Sequence, residues 1–207
     1  MKFKSKMSYG LLTLLILVAI LFFVFAGRFG SGNFVQISES DPTLGRSDAP
    51  VTFVVFGDYQ CGYTKQFFDE IYSQLKSEYI DIGKVRLVYK QFPLKEGTHS
   101  AAEASLCANE QGKFWSYVPL ILERGEEWSQ EGNTAFVRYA KELGLDENTF
   151  LNCLGQHKYR TQVENDYDEG KRLDVSGTPT FFINGLMIRG TVSLEDFEDI
   201  LSKFSYV

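Results

Sequence analysis

Cysteine is the residue type in this chain that is best suited to covalent chemistry, and the local sequence around Cys61 favours its reactivity. Cys61 follows an apolar, β-branched run at residues 51–56, which predicts a buried strand. Apolar residues then recur at helical spacing, at Phe68, Ile71, Leu75 and Tyr79. We therefore expect Cys61 near a helix N-terminus, where free N–H groups and the helix dipole favour a thiolate. The thiolate is the form of cysteine that attacks disulfides.

An ordinary buried cysteine is the competing interpretation, because free cysteine is among the most buried residue types. Two features argue against it. Cys61 lies in a polar, turn-like run between strand and helix rather than on an apolar face. A second segment, Gly-Thr-Pro-Thr at residues 177–180, also leads into an apolar strand far along the chain.

Together these segments resemble the thioredoxin superfamily, in particular its DsbA/BdbD-like thiol–disulfide oxidoreductases. The resemblance covers about residues 41–207 and is carried by five segments in the family's order: 44–51, 58–61, 111–115, 143–146 and 177–180. It implies an α/β, thioredoxin-like fold with a helical insertion subdomain at about residues 98–172. It also implies that the cysteine motif opens the first long helix beside a cis-proline at Pro179.

Thr64 is the main departure from the family, which usually has a second cysteine at this position. A threonine can donate a hydrogen bond to the Cys61 thiolate, but it cannot resolve a mixed disulfide. The catalytic set implied by the resemblance is therefore Cys61, Thr64 and Pro179, with Cys61 as the single nucleophile. The expected activity is disulfide formation, isomerisation or reduction in exported proteins. A redox-inactive, chaperone-like module that binds peptides is the alternative. Thr64 fits a native monothiol protein and equally an engineered variant of a dithiol enzyme.

The resemblance also implies residues that shape the surface around the thiol. These are Thr178, which would offer its backbone to a bound peptide, and Tyr59, Gly62 and Tyr63 in the cysteine motif. A plainer interpretation of the two tyrosines is that they cover the helix end. The sequence does not separate these two roles.

The chain has three cysteines, and the two besides Cys61 are Cys107 and Cys153. In an oxidising compartment, the arithmetic favours one disulfide and one free thiol, so we predict a structural disulfide between these two. The alternatives are two separate buried thiols, or one of the pair acting to resolve Cys61. A zinc site that combines Cys107 with His99 is disfavoured, because the two histidines of the chain are scattered, and we expect no metal or cofactor.

The N-terminal segment at residues 1–28 predicts a membrane anchor. Lys2, Lys4 and Lys6 precede an uncharged run at residues 7–27, which would be about 31 Å long as a helix. The positive charge before this run predicts a single-pass protein of the cell membrane, with its N-terminus in the cytoplasm and its domain on the extracytoplasmic side. A cleaved signal peptide is the alternative. Residues 29–50 are expected to form a flexible linker, which a short strand at 34–37 could interrupt, and residues 51–207 the DsbA-like domain.

The net charge of the chain argues against one class of binding partner. The chain carries a net charge of −6, and the four basic residues of its first 30 leave −10 on the remainder. So acidic a domain argues against a nucleic-acid partner, which needs a basic face. The expected partners are exported client proteins with thiols or disulfides, a membrane redox partner, and the membrane itself.

The order of predicted elements is β-α-β, a helical insertion, then β-β-α. Asn-Gly at residues 184–185, between apolar runs, predicts a hairpin turn. Asp146 and Ser193 are predicted helix N-caps. Pro119 predicts a kink, or a fresh helix start, inside the apolar run that follows Phe114.

Overall fold

The computed structural model describes residues 34–95 and 97–204. The compact unit that carries the fold runs from Val35 to Val207. The predicted membrane anchor at residues 1–28 lies outside the described residues. Among the residues that are described, none of the helices combines the length and apolar character needed to cross a membrane.

A five-stranded mixed sheet forms the centre of the fold. Its strand order is β1-β3-β2-β4-β5, in which β2 and β3 are parallel and the other neighbours are antiparallel. The strands are β1 (Thr43–Leu44), β2 (Val51–Gly57), β3 (Val85–Gln91), β4 (Thr180–Ile183) and β5 (Leu186–Arg189). This arrangement confirms the predicted β-α-β start and the later hairpin, and it adds β1 as a short edge strand that the sequence analysis did not predict.

Helix α1 connects β2 to β3 and consists of four consecutive segments, of which the second and fourth are π-helical: Gly62–Gln66, Phe67–Ile71, Tyr72–Leu75 and Lys76–Ile80. The helical insertion contains α2 (Thr98–Glu110), α3 (Phe114–Glu123), α4 (Gly125–Glu131), α5 (Asn133–Glu142), α6 (Glu147–Gly155) and α7 (Arg160–Arg172). Helix α8 (Leu194–Ser202) follows β5.

The π-helical segments change which residues of α1 face the core. Phe68, Ile71 and Leu75 are buried as their helical spacing predicts. Beyond Leu75, however, Ile80 is buried and Tyr79 is only partly covered. The reason is that each π turn contains more residues than an α turn, so the buried position shifts along the chain.

Both faces of the sheet are covered, because successive side chains of a strand point to opposite sides. Phe53 of β2 packs on one side, where its ring lies 4.8 Å from that of Phe197 in α8. Val54 and Phe56 pack on the other side, in a cluster bordered by Tyr167 of α7. Each such buried aromatic or aliphatic side chain contributes roughly 1.5–3 kcal/mol to folding.

The folded unit begins earlier than the predicted boundary at residue 51. The segment at residues 34–37 forms no strand; Val35 and Ile37 instead pack against the sheet face next to α7. Thr43–Leu44 pairs with β3, so the second half of the predicted linker is folded. The Gly/Ser/Asp-rich composition suggested a flexible tether, but apolar contacts and an ion pair hold this segment in place.

That ion pair belongs to a buried cluster that joins the sheet to the insertion. Lys90, near the end of β3, contacts Asp41 (2.8 Å), Asp166 of α7 (3.1 Å) and Glu169 of α7 (3.2 Å). Burial alone would lower the pKa of Lys90, but the three carboxylates outweigh it and raise that pKa. Burial raises the pKa of Asp166 to about 7, against the opposing effect of Lys90.

The insertion is closed by the predicted disulfide. Cys107 of α2 and Cys153 of α6 are bonded, with their Cα atoms 5.9 Å apart. Asp146 caps α6 by accepting a hydrogen bond from the backbone N–H of Thr149, as its position predicts. Helix α3 runs through Pro119, which is exposed, as one continuous helix and does not start afresh there.

Candidate active site

Cys61 occupies the N-cap position of α1, directly after the turn that follows β2. It is the free cysteine of the described chain, and it is partly exposed. Its backbone N–H donates to the carbonyl of Asp58 (3.2 Å) and its own carbonyl accepts from Lys65 (3.0 Å). The structure thus places this thiol at a helix N-terminus, as the sequence predicts.

Asp58 fixes the shape of the turn that carries Cys61. Its side chain is buried, and its carboxylate accepts from the backbone N–H groups of Gln60 (2.7 Å) and Leu94 (2.6 Å). The first bond is an Asx-type turn, and the second ties the turn to the loop that follows β3. The sequence analysis gave Asp58 no role of its own, although an Asp two residues before a polar position in a turn is a recognisable signal for one.

The segment before β4 reaches Cys61 from a distant part of the chain. The Thr178–Pro179 peptide bond is cis, as the resemblance implied. The Cys61 thiol donates a hydrogen bond to the carbonyl oxygen of Thr178 at 3.0 Å. Pro179 is buried beside it at the start of β4. The antiparallel pairing of β2 with β4 explains the meeting, because it places the end of β2 next to the beginning of β4.

Thr64 lies one turn into α1 and is completely buried. Its hydroxyl oxygen accepts from the backbone N–H of Asp58 at 3.5 Å. Within the described residues, no hydrogen bond joins this hydroxyl to the Cys61 sulfur. Thr64 therefore supports the turn that precedes Cys61, and its hydrogen bond to the Cys61 thiolate stays a prediction.

The two tyrosines of the motif have different environments. The side chain of Tyr63 is 62 % exposed at the start of α1, next to Gly62, and is available to a partner. Tyr59 is only 2 % exposed, and its ring stacks on that of Tyr89 at 5.8 Å. Tyr59 is thus part of the core beneath Cys61, although it also lines the cleft beside the thiol, and its role in shaping that surface stays a prediction.

The tyrosines below Cys61 are not acid–base groups near neutral pH. Burial raises the pKa of Tyr59 and of Tyr89, so both phenols stay protonated. Gly57 allows Tyr89 to lie here, since a Cβ atom at this glycine would come within 2.2 Å of the Tyr89 hydroxyl. The site thus consists of one thiol above a neutral, aromatic floor.

A cleft of about 600 Å³ opens beside Cys61, between the start of α1 and α4. Gln60 spans its base by donating a hydrogen bond to the hydroxyl of Ser129 in α4 (2.9 Å). Lys65, Lys95 and Glu126 supply charged groups to its walls. The sequence analysis did not find these residues, because they come from separate segments with no shared motif.

The remaining cysteines cannot assist Cys61 in this structure. Cys107 and Cys153 are 1 % and 5 % exposed, and each sulfur is already bonded to the other. This excludes the idea that one of them resolves a mixed disulfide at Cys61 while the bond is intact. It also removes Cys107 as a thiolate ligand for zinc.

Known proteins share both the sequence pattern and the fold. The family model described as "Thioredoxin" matches residues 38–203. Disulfide bond formation protein D of Bacillus subtilis is 28 % identical over 171 residues, which cover 80 % of this chain and 77 % of that protein. The crystal structure of oxidised BdbD from Bacillus subtilis matches with a TM-score of 0.73 at 27 % identity, covering 80 % of this chain and 93 % of that one.

Two further relatives mark the range of the similarity. The crystal structure of α-DsbA1 from Wolbachia pipientis has the same fold, with a TM-score of 0.75 at 23 % identity, covering 84 % of this chain and 96 % of that one. The Na⁺/H⁺ antiporter NhaA 3 of Salinispora tropica is 33 % identical over 160 residues, or 76 % of this chain. Those residues are 24 % of the antiporter, so the chain spans about a quarter of that relative.

The family match extends over most of the chain, and the thiol at the start of α1 lies against the cis-proline loop as the resemblance implied. The chain therefore belongs to the thioredoxin family, as a DsbA/BdbD-like thiol–disulfide oxidoreductase.

Proposed function

We propose that this protein exchanges thiols and disulfides in exported proteins with Cys61 as its single nucleophile. The observation that carries the proposal is the position of Cys61, partly exposed at the start of α1, with a buried threonine in the place of a second cysteine. Without that second thiol, an internal disulfide cannot form at the motif. Isomerisation and reduction of mixed disulfides suit such a site better than net oxidation.

The reaction begins with the Cys61 thiolate attacking a client disulfide. A bond forms between Cys61 and one client sulfur, and the other client sulfur leaves as a thiolate that solvent protonates. A second client thiol, or an external thiol, then attacks the mixed disulfide and releases Cys61. No electrons are gained or lost overall unless the external thiol is itself oxidised.

The hydrogen bond between Cys61 and Thr178 links ionisation to binding. A thiol can donate to the Thr178 carbonyl, whereas a thiolate cannot. When Cys61 ionises, the carbonyl is free to accept from a backbone N–H of an extended client segment. Tyr63, two residues after Cys61, is exposed and can contact client side chains.

The test is a comparison of wild type with Cys61→Ser in the refolding of a scrambled-disulfide substrate. The serine variant should lose at least about 100-fold of the activity, because a hydroxyl is a far weaker nucleophile than a thiolate near neutral pH. Ser77→Ala, at an exposed position of α1 away from the cysteine motif, is the control and should retain activity. Unchanged activity in Cys61→Ser would sink the proposal.

A peptide-binding module without redox activity is the second candidate function. The observation that favours it is Thr64, whose hydroxyl is built into the turn by its bond from the Asp58 N–H. A module of this kind would bind unfolded polypeptide equally well as wild type and as Cys61→Ser, and neither protein would exchange disulfides. Equal binding together with activity that depends on Cys61 supports the exchange enzyme.

Localisation belongs to the same proposal. Residues 1–28 would anchor the protein in the cell membrane, with the domain on the extracytoplasmic side, where client disulfides persist. A membrane redox partner would meet the domain there. Protease treatment of intact cells should digest the domain while cytoplasmic markers survive, and protection of the domain would contradict this placement.

A further inference from the structure

The cleft beside Cys61 indicates what kind of thiol could release Cys61 from a mixed disulfide. This inference rests on the proposed function. Its volume of about 600 Å³ lies within the ordinary range for sites that bind small molecules. The cleft borders Cys61 and is walled on its far side by α4. Thr178 also contacts Cys61, but it is not among the described residues that line the cleft. The sulfur is therefore approached from two distinct directions.

Two directions of approach are what resolution by an external thiol requires. In thiol–disulfide exchange, the attacking, central and leaving sulfurs lie nearly in line. A client held at Thr178 occupies one side of the Cys61 sulfur. A thiol that attacks this sulfur must then come from another side, and the cleft provides an open one.

The walls of the cleft carry both positive and negative side chains. Lys65 and Lys95 line it in a domain that is otherwise strongly acidic. Lys65 forms an ion pair with Asp69, whereas the ammonium of Lys95 has no ion-pair partner among the described residues. Glu126 lies on the opposite wall and carries the opposing charge.

We propose that the cleft admits an anionic low-molecular-weight thiol, whose carboxylate or sulfonate group faces Lys65 and Lys95, as the co-substrate that resolves the mixed disulfide at Cys61. The small thiol attacks the Cys61 sulfur and forms a new S–S bond there, while the client sulfur leaves as a thiolate and takes a proton from solvent. A second small thiol attacks the sulfur of the first and restores the Cys61 thiolate. In sum, one client disulfide is reduced to two thiols, and two small thiols are oxidised to their disulfide.

The experiment uses a matched series of thiols on one carbon skeleton: 2-mercaptoethanesulfonate (anionic), 2-mercaptoethanol (neutral) and 2-aminoethanethiol (cationic). Cys61 is first converted to its mixed disulfide with 4,4′-dithiodipyridine, whose thiopyridine product is followed by absorbance. The rate of thiopyridine release is then measured for each thiol. The proteins compared are wild type, Lys65→Gln, Lys95→Gln, the double variant, and Lys171→Gln as a control on an exposed lysine of α7.

Each lysine should accelerate the anionic thiol by about threefold, as expected for unit charges roughly 6 Å apart in water. All three thiols attack as thiolates, so the ratio of the anionic to the neutral rate isolates the charge of the tail. This ratio should fall by about threefold in each single variant and keep its wild-type value in Lys171→Gln. Glu126→Gln should act in the opposite direction and speed the anionic thiol. Raising the salt concentration to about 0.5 M should remove most of the difference, because it screens exposed charges.

Two results would overturn the inference. One is a ratio of anionic to neutral rates that Lys65→Gln, Lys95→Gln and Glu126→Gln leave unchanged. The other is a slowing of the cationic thiol, relative to the neutral one, as large as that of the anionic thiol, which would indicate a structural effect of the substitutions. If Cys61 forms no adduct at all, the proposed function and this inference fall together; if the adduct forms and charge has no influence, only the inference falls.

Discussion

The thioredoxin core and the helical insertion both contain cysteine, but they place it in opposite environments. Cys107 and Cys153 lie between two helices, almost fully buried and bonded to each other. Cys61 lies at the start of a helix, partly exposed, with a backbone carbonyl as its partner. The first environment makes sulfur a structural cross-link, and the second leaves it free to react. The backbone around each cysteine, rather than the residue type, separates the two roles.

Removing the structural disulfide should have the largest effect. Cys107→Ala together with Cys153→Ala should lower the free energy of unfolding by roughly 4 kcal/mol, since the bond closes a long loop in the unfolded chain. Urea unfolding monitored by circular dichroism measures this loss, with Cys61→Ala as the control that should leave stability unchanged. A loss below about 1 kcal/mol would mean that the bond adds little to the packing of α2 on α6.

The buried ion-pair cluster that joins the sheet to the insertion should make the free energy of unfolding depend on pH. Asp166 has a pKa of about 7 in the folded state because it is buried, well above its ordinary value of 3.8. The folded state thus holds a proton that the unfolded state releases near pH 4. The free energy of unfolding should fall as the pH rises from about 4 to 7, by a few kcal/mol at most, and level off above that range.

Asp166→Asn should remove this part of the pH dependence, because an amide does not ionise. Lys90, Asp41 and Glu169 remain in the variant, so the comparison isolates one carboxyl group. Asp168→Asn, an exposed position on the same helix, is the control and should preserve the wild-type slope. Identical slopes in Asp166→Asn and wild type would contradict the raised pKa.

A second thiol at the motif would make the Cys61 region resemble the insertion. Thr64→Cys places a thiol one turn from Cys61, at the position where the family has its second cysteine. We expect a disulfide between Cys61 and the introduced thiol, and a net oxidation of client dithiols that exceeds wild type by roughly 100-fold, because the resolving group is now intramolecular. Oxidation is followed by the refolding of a reduced client, with Thr64→Ser as the control. Failure of the introduced thiol to bond with Cys61 under an oxidised glutathione buffer would contradict the expectation.

Removing the carboxylate that supports the Cys61 turn should have the smallest effect of the four predicted changes. Asp58→Ala leaves the N–H groups of Gln60 and Leu94 without their carboxylate, so the turn that positions Cys61 loosens. We expect the rate of Cys61 exchange to fall by about tenfold, measured as the rate of reaction with a model disulfide. Asp48→Ala, an exposed position paired with Arg46, should not change it. An unchanged rate in Asp58→Ala would show that the turn holds its shape through the backbone alone.

Much of the fold could be predicted from local sequence because its signals act over short distances. The Asn184-Gly185 turn and the caps at Asp146 and Ser193 each depend on a few neighbouring residues, and each is present in the structure. The misplaced features depended on contacts between distant residues. Val35 and Ile37 pack against the sheet with no local signature, and the π turns of α1 moved the buried position from Tyr79 to Ile80.

For the candidate site, the sequence by itself determined the chemistry: one cysteine at the junction of a strand and a helix, followed by a threonine that cannot resolve a disulfide. Backbone geometry at such a junction is a local property, so the position of Cys61 could be predicted. Only the tertiary structure decided its surroundings. The Thr178 carbonyl, the Gln60–Ser129 bond and the lysines of the cleft meet because β2 pairs with β4 and because the insertion folds back toward α1. Residues that far apart in the chain come together through packing, which no short stretch of sequence specifies.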